Sequence, residues 1–337
     1  MRFPGSHARL GFVLPAALLI AATAVLGALA APSAQPLKGK KVGLQFCTEQ
    51  NPWCNTWINT FKKNLQAQGA TVTVLTTPFD PAKGAQNMNQ LIAGKPDLIV
   101  NEADDPNAVI PSLTRAQKAG IPVVNVTGRL TPAGNKLVRS SVLTDNTALG
   151  NFAAQNLVEG MKEAGYTKGN VIALTGTATQ LIVQDRVVAF KAAMKKYPQY
   201  KVVAIKDTNW DQATSATVAQ QLFAQYASKG GIQGAYGMAD NMAVGIIQGA
   251  EQAGVKVGLK NKGLIVTGSN CLGVGIQAIK QGTLYGTATQ APFQEATSAA
   301  NVVSAILQGK TVPKVVLNKE YRITKANVAK YAKVCTY

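Results

Sequence analysis

From residue 37 onward, short runs of apolar and β-branched residues alternate with longer stretches in which apolar positions recur at helical spacing. The short runs Val42 to Phe46, Thr71 to Thr76, Leu98 to Asn101 and Pro122 to Val126 read as strands, with helical patterns between them. This alternation predicts βαβ units and a parallel sheet. A second series follows Thr144-Asp145-Asn146, with strands predicted at Val171 to Thr175, Val202 to Lys206, Gly234 to Met238 and Leu264 to Gly268. Its helices are predicted near 180–197, 212–228 and 240–253. The series echo each other: Ala103-Asp104-Asp105 and Ala239-Asp240-Asn241 each follow a strand, and the helices after them end at Ala119-Gly120 and Ala253-Gly254. The pattern therefore predicts an α/β chain of two doubly wound parallel-sheet lobes.

The late elements are too few for a third domain. They comprise Leu284 to Thr289, a helix over 292–307, a strand near Val315 to Tyr321 and a last helix from Thr324. They complete the earlier lobes, so the chain crosses between lobes more than once. The division expected is 37–144 plus 291–316 for the first lobe and 145–290 plus 317–337 for the second, joined by a multi-crossing hinge.

The length of 337 residues fits about two domains, and 47% apolar content can fill both cores. Arg2 and Arg9 precede an apolar run from Leu10 to Leu29 that ends in Ala28-Leu29-Ala30, a small-x-small cleavage pattern. Residues 1–30 are read as a secretory signal cut near Ala30, which places the mature chain in the periplasm. An uncleaved anchor is the competing reading, against which Gly11, Pro15 and Gly27 interrupt the run.

His7, the only histidine, lies in that segment, so the mature chain offers no His-based triad or His-ligated metal site. Cys47, Cys54, Cys271 and Cys335 make an even set for an oxidising compartment. Three pairings are open; Cys47 with Cys54 and Cys271 with Cys335 is the preferred one. No CxxC pair supports zinc.

Removing residues 1–30 takes two of 34 basic residues and none of 16 acidic ones, leaving a charge of +16. The lysines are dispersed and not interleaved with aromatics, which argues for a solvated basic surface and against nucleic acid.

The candidate chemistry begins at Lys41 to Trp57, KVGLQFCTEQNPWCNTW, where a strand leads through a polar loop into a helix. Asn51 can cap that helix and Pro52 suits its first position. Trp57 falls on the helix's apolar stripe with Ile58, Phe61 and Leu65 and is read as core. Trp53 precedes the stripe, at the carboxyl end of a strand, where open α/β sheets bind ligands.

These features together resemble a periplasmic substrate-binding protein of sugar ABC transporters, in the ribose-binding family with its type I fold. The resemblance spans the mature chain and rests on the order of several motifs. These are the Asn51-Pro52-Trp53 loop, Thr144-Asp145-Asn146, Arg186-Val-Val-Ala-Phe190, Asn209-Trp210-Asp211, Ala239-Asp240-Asn241-Met242-Ala243, Gly268-Ser269-Asn270 and Thr289-Gln290.

It implies that Asn51 hydrogen-bonds a sugar hydroxyl, that Trp53 and Trp210 cover opposite faces of the ring, and that Arg186 offers its donors to vicinal oxygens. Asp240 and Asn270 would act from strand ends of the second lobe, Gln290 from the second crossing, and Asn101 from a first-lobe strand end. A sugar's apolar faces and rim of hydroxyls suit such residue types. The competing readings are a surface Arg186 paired with Asp185 or Glu163, an Asp240 that only caps its helix, and a Trp210 that only fills core.

The departures from the family are specific. Val126-Thr127-Gly128-Arg129 lacks the usual aspartate of an Asp-Arg pair and accommodates Arg129 only with an insertion; Asn270 replaces a second aspartate; Cys54 replaces a second aromatic. They argue against ribose and for another pentose or hexose, a polyol or a sugar acid.

The function implied is capture of a small carbohydrate or polyol by hinge closure and delivery to an ABC transporter permease. No cofactor and no catalysis are expected, the chain would be a monomer, and a chemoreceptor is an optional further partner; the alternative function is a ligand-sensing exported binding protein for a chemoreceptor or sensor kinase. A repressor of the lactose-repressor type would carry a DNA-binding helix-turn-helix where this chain has its leader. An exported enzyme is disfavoured because Thr175-Gly-Thr-Ala-Thr179 and Gly273-Val-Gly275 complete no phosphate loop. A glycosidase would need two opposed carboxylates, for which Asp104, Asp105 and Asp240 are the candidates.

Overall fold

A computed structural model of the chain describes residues 35–335. The predicted leader, with His7, lies outside the described residues. No helix within them is long and apolar enough to cross a membrane.

The first lobe opens with β1 (Lys41–Cys47), α1 (Pro52–Gln66), β2 (Thr71–Thr77), α2 (Pro81–Ala93), β3 (Leu98–Asn101), α3 (Ile110–Lys118), β4 (Val123–Thr127), α4 (Pro132–Leu137) and β5 (Ser140–Thr144). The second runs through α5 (Asn146–Glu163), β6 (Gly169–Thr175), α6 (Leu181–Met194), β7 (Tyr200–Asp207), α7 (Gln212–Tyr226), β8 (Gly234–Gly237), α8 (Asp240–Gln252), β9 (Ile265–Thr267), α9 (Gly273–Gln281) and β10 (Gly286–Ala288). After them come α10 (Pro292–Leu307), β11 (Val315–Asn318), β12 (Arg322–Thr324) and α11 (Val328–Tyr331).

Two six-stranded sheets result, in the orders β11-β5-β4-β3-β1-β2 and β12-β10-β9-β8-β6-β7. The chain order is the same in both. Among the described residues, only the pairing of β10 with β12 is antiparallel. In each sheet the order reverses beside the first strand, and the crevice at the carboxyl ends of the strands there is the place where open α/β sheets take ligands.

The chain passes between sheets three times: from β5 to α5, from β10 to α10 and from β11 to β12. The third passage corrects the reading of 315–321 as one strand. Val315–Asn318 joins the first sheet beside β5, and Arg322–Thr324 joins the second beside β10. An extended, alternating stretch carries no mark of which sheet it serves. The last helix starts at Val328, and β5, whose serines and threonine hide its strand character, is absent from the strands predicted.

Helix α10 packs on α1 and the first sheet, while α5 packs under the second. The first lobe's core centres on a stack of Phe46, Trp57 and Phe61 with centroids 4.1 and 5.0 Å apart. Trp57 is thus core, as its place on the apolar stripe predicts. Disulfides join Cys47 to Cys54 and Cys271 to Cys335.

Candidate functional site

A cavity with about 420 Å³ of empty space, partly open to solvent, lies between the carboxyl ends of the two sheets. Of the eight residues singled out from sequence, Asn51, Trp53, Arg186, Trp210, Asn270 and Gln290 line it; Asp240 and Asn101 do not.

Asn51 ends the loop after β1. Its Oδ1 accepts from the backbone N–H groups of Trp53 (3.0 Å) and Cys54 (3.4 Å), capping α1. With that oxygen engaged, the amide nitrogen is the group it can offer to a ligand. The cap, Pro52 and the Cys47–Cys54 disulfide together fix the turn that carries Trp53. The Trp53 indole donates Nε1–H to the Gln290 carbonyl at 2.7 Å, tying the first lobe to the second crossing.

Trp210 follows β7, with Asn209 and Trp210 both in the left-handed region at φ 52° and 60°. That strained turn folds the indole back over Gly176, where a Cβ would stand 1.8 Å from the ring. Trp210 donates Nε1–H to Gln180 Oε1 at 2.7 Å, and the Arg186 guanidinium lies 5.6 Å from its centroid. Phe79 approaches from the first lobe, its ring centroid 6.4 Å from that of Trp210. Trp210 is therefore both packed and cavity-facing, so the choice between core and ligand does not arise for it.

Arg186, on α6, is fully buried. It donates Nε–H to Asn146 Oδ1 (2.8 Å), Nη1–H to Asn270 Oδ1 (3.1 Å) and the Met238 carbonyl (3.2 Å), and Nη2–H to Gln290 Oε1 (2.7 Å). The burial of Arg186 excludes the competing surface reading. Its fork holds protein oxygens through these four bonds while the side chain lines the cavity. Burial lowers its pKa, and the charges of Glu320 and Glu295 are among the effects that oppose this. A guanidinium stays protonated regardless.

From Gln290 the network continues into the first lobe. Gln290 Nε2 donates to Thr144 Oγ1 (3.1 Å), and Thr144 and Thr127 hydroxyls donate to the two oxygens of Glu295 at 2.6 and 2.7 Å. Burial raises the pKa of Glu295, opposed chiefly by these hydroxyl bonds.

Asp240 stands away from the cavity. It is fully buried, accepts from the Leu272 backbone N–H (2.9 Å) and the Thr287 hydroxyl (2.6 Å), and is enclosed by Gly268 and Gly275. A Cβ at either glycine would stand about 2 Å from its oxygens, so no larger residue fits there. Burial pushes its pKa up to about 8. The next residue, Asn241, lines the cavity and donates Nδ2–H to the Trp210 carbonyl at 2.9 Å. Asn101 likewise points inward, and its neighbour Glu102 lines the cavity instead. Burial, then the charges of Asp104 and Glu295, hold Glu102 well above the ordinary carboxylate range, while the Cys47 backbone N–H donates to it at 3.1 Å.

Glu102, Asn241, Phe79 and Thr127 are cavity residues that sequence reasoning misses. At Glu102 and Asn241 the sequence signal is present but one residue off: a strand end or helix start aims successive side chains in different directions, and composition does not fix which one faces the cleft.

Comparison with known proteins places this geometry. The periplasmic binding protein domain profile matches residues 42–311. The ribose import binding protein RbsB of Haemophilus influenzae is 29% identical over 278 residues, covering 80% of this chain and 87% of that one. The xylitol-binding protein of Mycolicibacterium smegmatis is 25% identical over 252 residues, 74% of this chain and 67% of that one. Among solved structures, an ABC transporter solute-binding protein from Mycobacterium smegmatis with bound glycerol superposes with a TM-score of 0.78 at 25% identity, covering 87% of this chain and 96% of that one. Two lobes of identical strand order, three crossings and a cavity at the switch points of both sheets thus go with a profile spanning most of the sequence: the chain belongs to the periplasmic binding protein domain family and has its type I fold.

Proposed function

We propose that this protein captures a small carbohydrate or polyol between its lobes and delivers it to the permease of an ABC transporter, without chemistry. The observation that carries this reading is the meeting of Trp53 and Trp210, from opposite lobes, in one cavity beside a buried guanidinium. Flat apolar walls suit the C–H faces of a polyhydroxylated ligand, and Asn51, Asn241 and Gln290 supply polar groups for its rim. Arg186 acts mainly by orienting Gln290 and Asn270.

Relatives whose names specify ribose, xylitol and a bound glycerol support the ligand class. The missing acidic partners at Thr127 and Asn270 favour a ligand other than ribose. In this reading residues 1–30 are removed on export to the periplasm, the mature protein is a monomer, and a chemoreceptor is an optional second partner of the closed form.

A thermal-shift screen of the mature protein against pentoses, hexoses, polyols and sugar acids tests it. A ligand at 100 times its dissociation constant adds about 2.7 kcal/mol. Absence of any shift across the panel, or turnover of the compound that shifts it, would overturn the proposal.

A further inference from the structure

Every hydroxyl of a polyhydroxylated guest has a proton to give, so the acceptors open to the cavity decide what it can hold. Three of the amide oxygens on its wall already serve the protein. Asn51 Oδ1 accepts from the backbone N–H groups of Trp53 and Cys54, Asn270 Oδ1 from Arg186 Nη1 at 3.1 Å, and Gln290 Oε1 from Arg186 Nη2 at 2.7 Å. Of the amide and carboxyl side chains on the wall, only Asn241 and Glu102 keep an oxygen that no protein donor meets among the described residues.

Glu102 is the single acidic side chain on that wall. Its Oε2 accepts from the Cys47 backbone N–H at 3.1 Å, and Cys47 is tied by its disulfide to Cys54 in the first turn of α1. That bond gives the two oxygens different tasks: Oε2 is held by the main chain, and Oε1 remains for a guest. The residue is 4% exposed, and among the described residues no lysine or arginine pairs with it.

We propose that Glu102 sets the ligand specificity of this site: its carboxyl accepts from a hydroxyl of the bound carbohydrate or polyol and bars ligands that carry a carboxylate of their own, the sugar acids. The inference rests on the capture reading above. A hydroxyl donating to a carboxylate makes a short, charge-assisted bond, and the Cys47 N–H and the ligand O–H together satisfy the buried group. A sugar acid would set carboxyl against carboxyl in a place where burial, then the charges of Asp104 and Glu295, already oppose ionisation. Two such groups cannot both ionise, so the acid would bind only with a proton added. Arg186 does not neutralise it, because bonds to Asn146, Asn270, Met238 and Gln290 hold its fork.

Titration calorimetry of the mature protein with matched neutral and acid compounds tests it: xylitol with D-xylonate, D-ribose with D-ribonate, D-glucose with D-glucuronate, and D-galactose with D-galacturonate. The parent is expected to bind the neutral member of a pair about tenfold or more tightly than its acid. In Glu102→Gln the Cys47 N–H keeps the amide oxygen, which turns the NH2 group toward the ligand. A hydroxyl then loses its acceptor while a carboxylate gains a donor, so the preference should shrink by about a hundredfold or reverse. An acid that binds the parent as tightly as its neutral partner, or a folded Glu102→Gln protein with the parent's preference, would overturn this inference and leave the capture reading standing. The comparison within the parent needs no variant, so it decides even where Glu102→Gln does not fold. If no member of any pair binds the parent, the capture reading falls and this inference with it.

Discussion

Arg129 and Asp185 face each other across the cleft through two hydrogen bonds of 2.8 Å, Nε to Oδ2 and Nη2 to Oδ1. Arg129 follows β4 of the first lobe and Asp185 lies on α6 of the second, so the pair bridges the two lobes as a latch. The bond to Asp185 raises the pKa of Arg129. Both side chains are partly exposed, at 49% and 23%, which limits the pair to about 1 kcal/mol. Asp185→Ala is expected to speed ligand release about fivefold at low ionic strength, with the difference shrinking as salt is added; stopped-flow dissociation measures this. Equal rates at all ionic strengths would remove the latch.

Loss of either indole should weaken ligand binding by about 2 kcal/mol or more, roughly thirtyfold. Gly176→Ala offers an independent probe, because its methyl collides with the Trp210 ring and must displace it. Titration calorimetry should find Gly176→Ala close to Trp210→Ala in affinity. Binding undisturbed by Gly176→Ala would mean that Trp210 can shift without consequence.

Asp240 and Asn241 should separate stability from binding. Asp240→Ala strands the Leu272 N–H and the Thr287 hydroxyl and should cost about 2–4 kcal/mol in denaturant unfolding, with ligand affinity near that of the parent. Asn241→Ala should do the reverse. Affinity falling with Asp240→Ala in protein shown to be folded would return that carboxyl to the site.

Asp240 and Glu320 both have pKa values raised to about 8, chiefly by burial. Between the ordinary carboxylate range and about pH 8 they stay protonated when folded and ionise on unfolding. The folded state then binds more protons, so stability falls as pH rises through this window. Calorimetry should show higher melting temperatures near about pH 5 than near about pH 8, with a flatter profile in Asp240→Asn. Rising stability across that range would refute the assignment.

Reduction should act differently at the two disulfides. Closing the 64-residue separation of Cys271 and Cys335 is worth about 4 kcal/mol on chain-entropy grounds, and the 7-residue separation of Cys47 and Cys54 about 2.5 kcal/mol. The short loop carries Asn51 and Trp53, so Cys47→Ser with Cys54→Ser should cost affinity as well as stability, by calorimetric titration and melting together.

Most of the architecture was legible because the parallel strands are nearly continuous apolar runs, as in Leu98–Asn101 and Gly169–Thr175, whose burial is complete or nearly so. Ser140–Thr144 was not, because its outer residues are polar though buried. Trp53 and Trp210 were readable as cavity-lining because each comes soon after the carboxyl end of a strand, Trp53 in the first turn of α1 and Trp210 in the turn before α7. Asn101 against Glu102, and Asp240 against Asn241, were not, since a single step along the backbone decides between facing the cleft and facing inward. Nor could the sequence show that Arg186 would be held by Asn146, Asn270, Met238 and Gln290, which lie 40 to 104 positions away along the chain.

The strands β11 and β12, which finish the edges of the two sheets, come only after residue 314. A polypeptide emerging amino end first, from a ribosome or a membrane channel, therefore cannot finish either half until residues 315–324 have passed. Vectorial synthesis thus delivers both halves to maturity together, and a chain cut before Val315 leaves two open edges instead of one intact half.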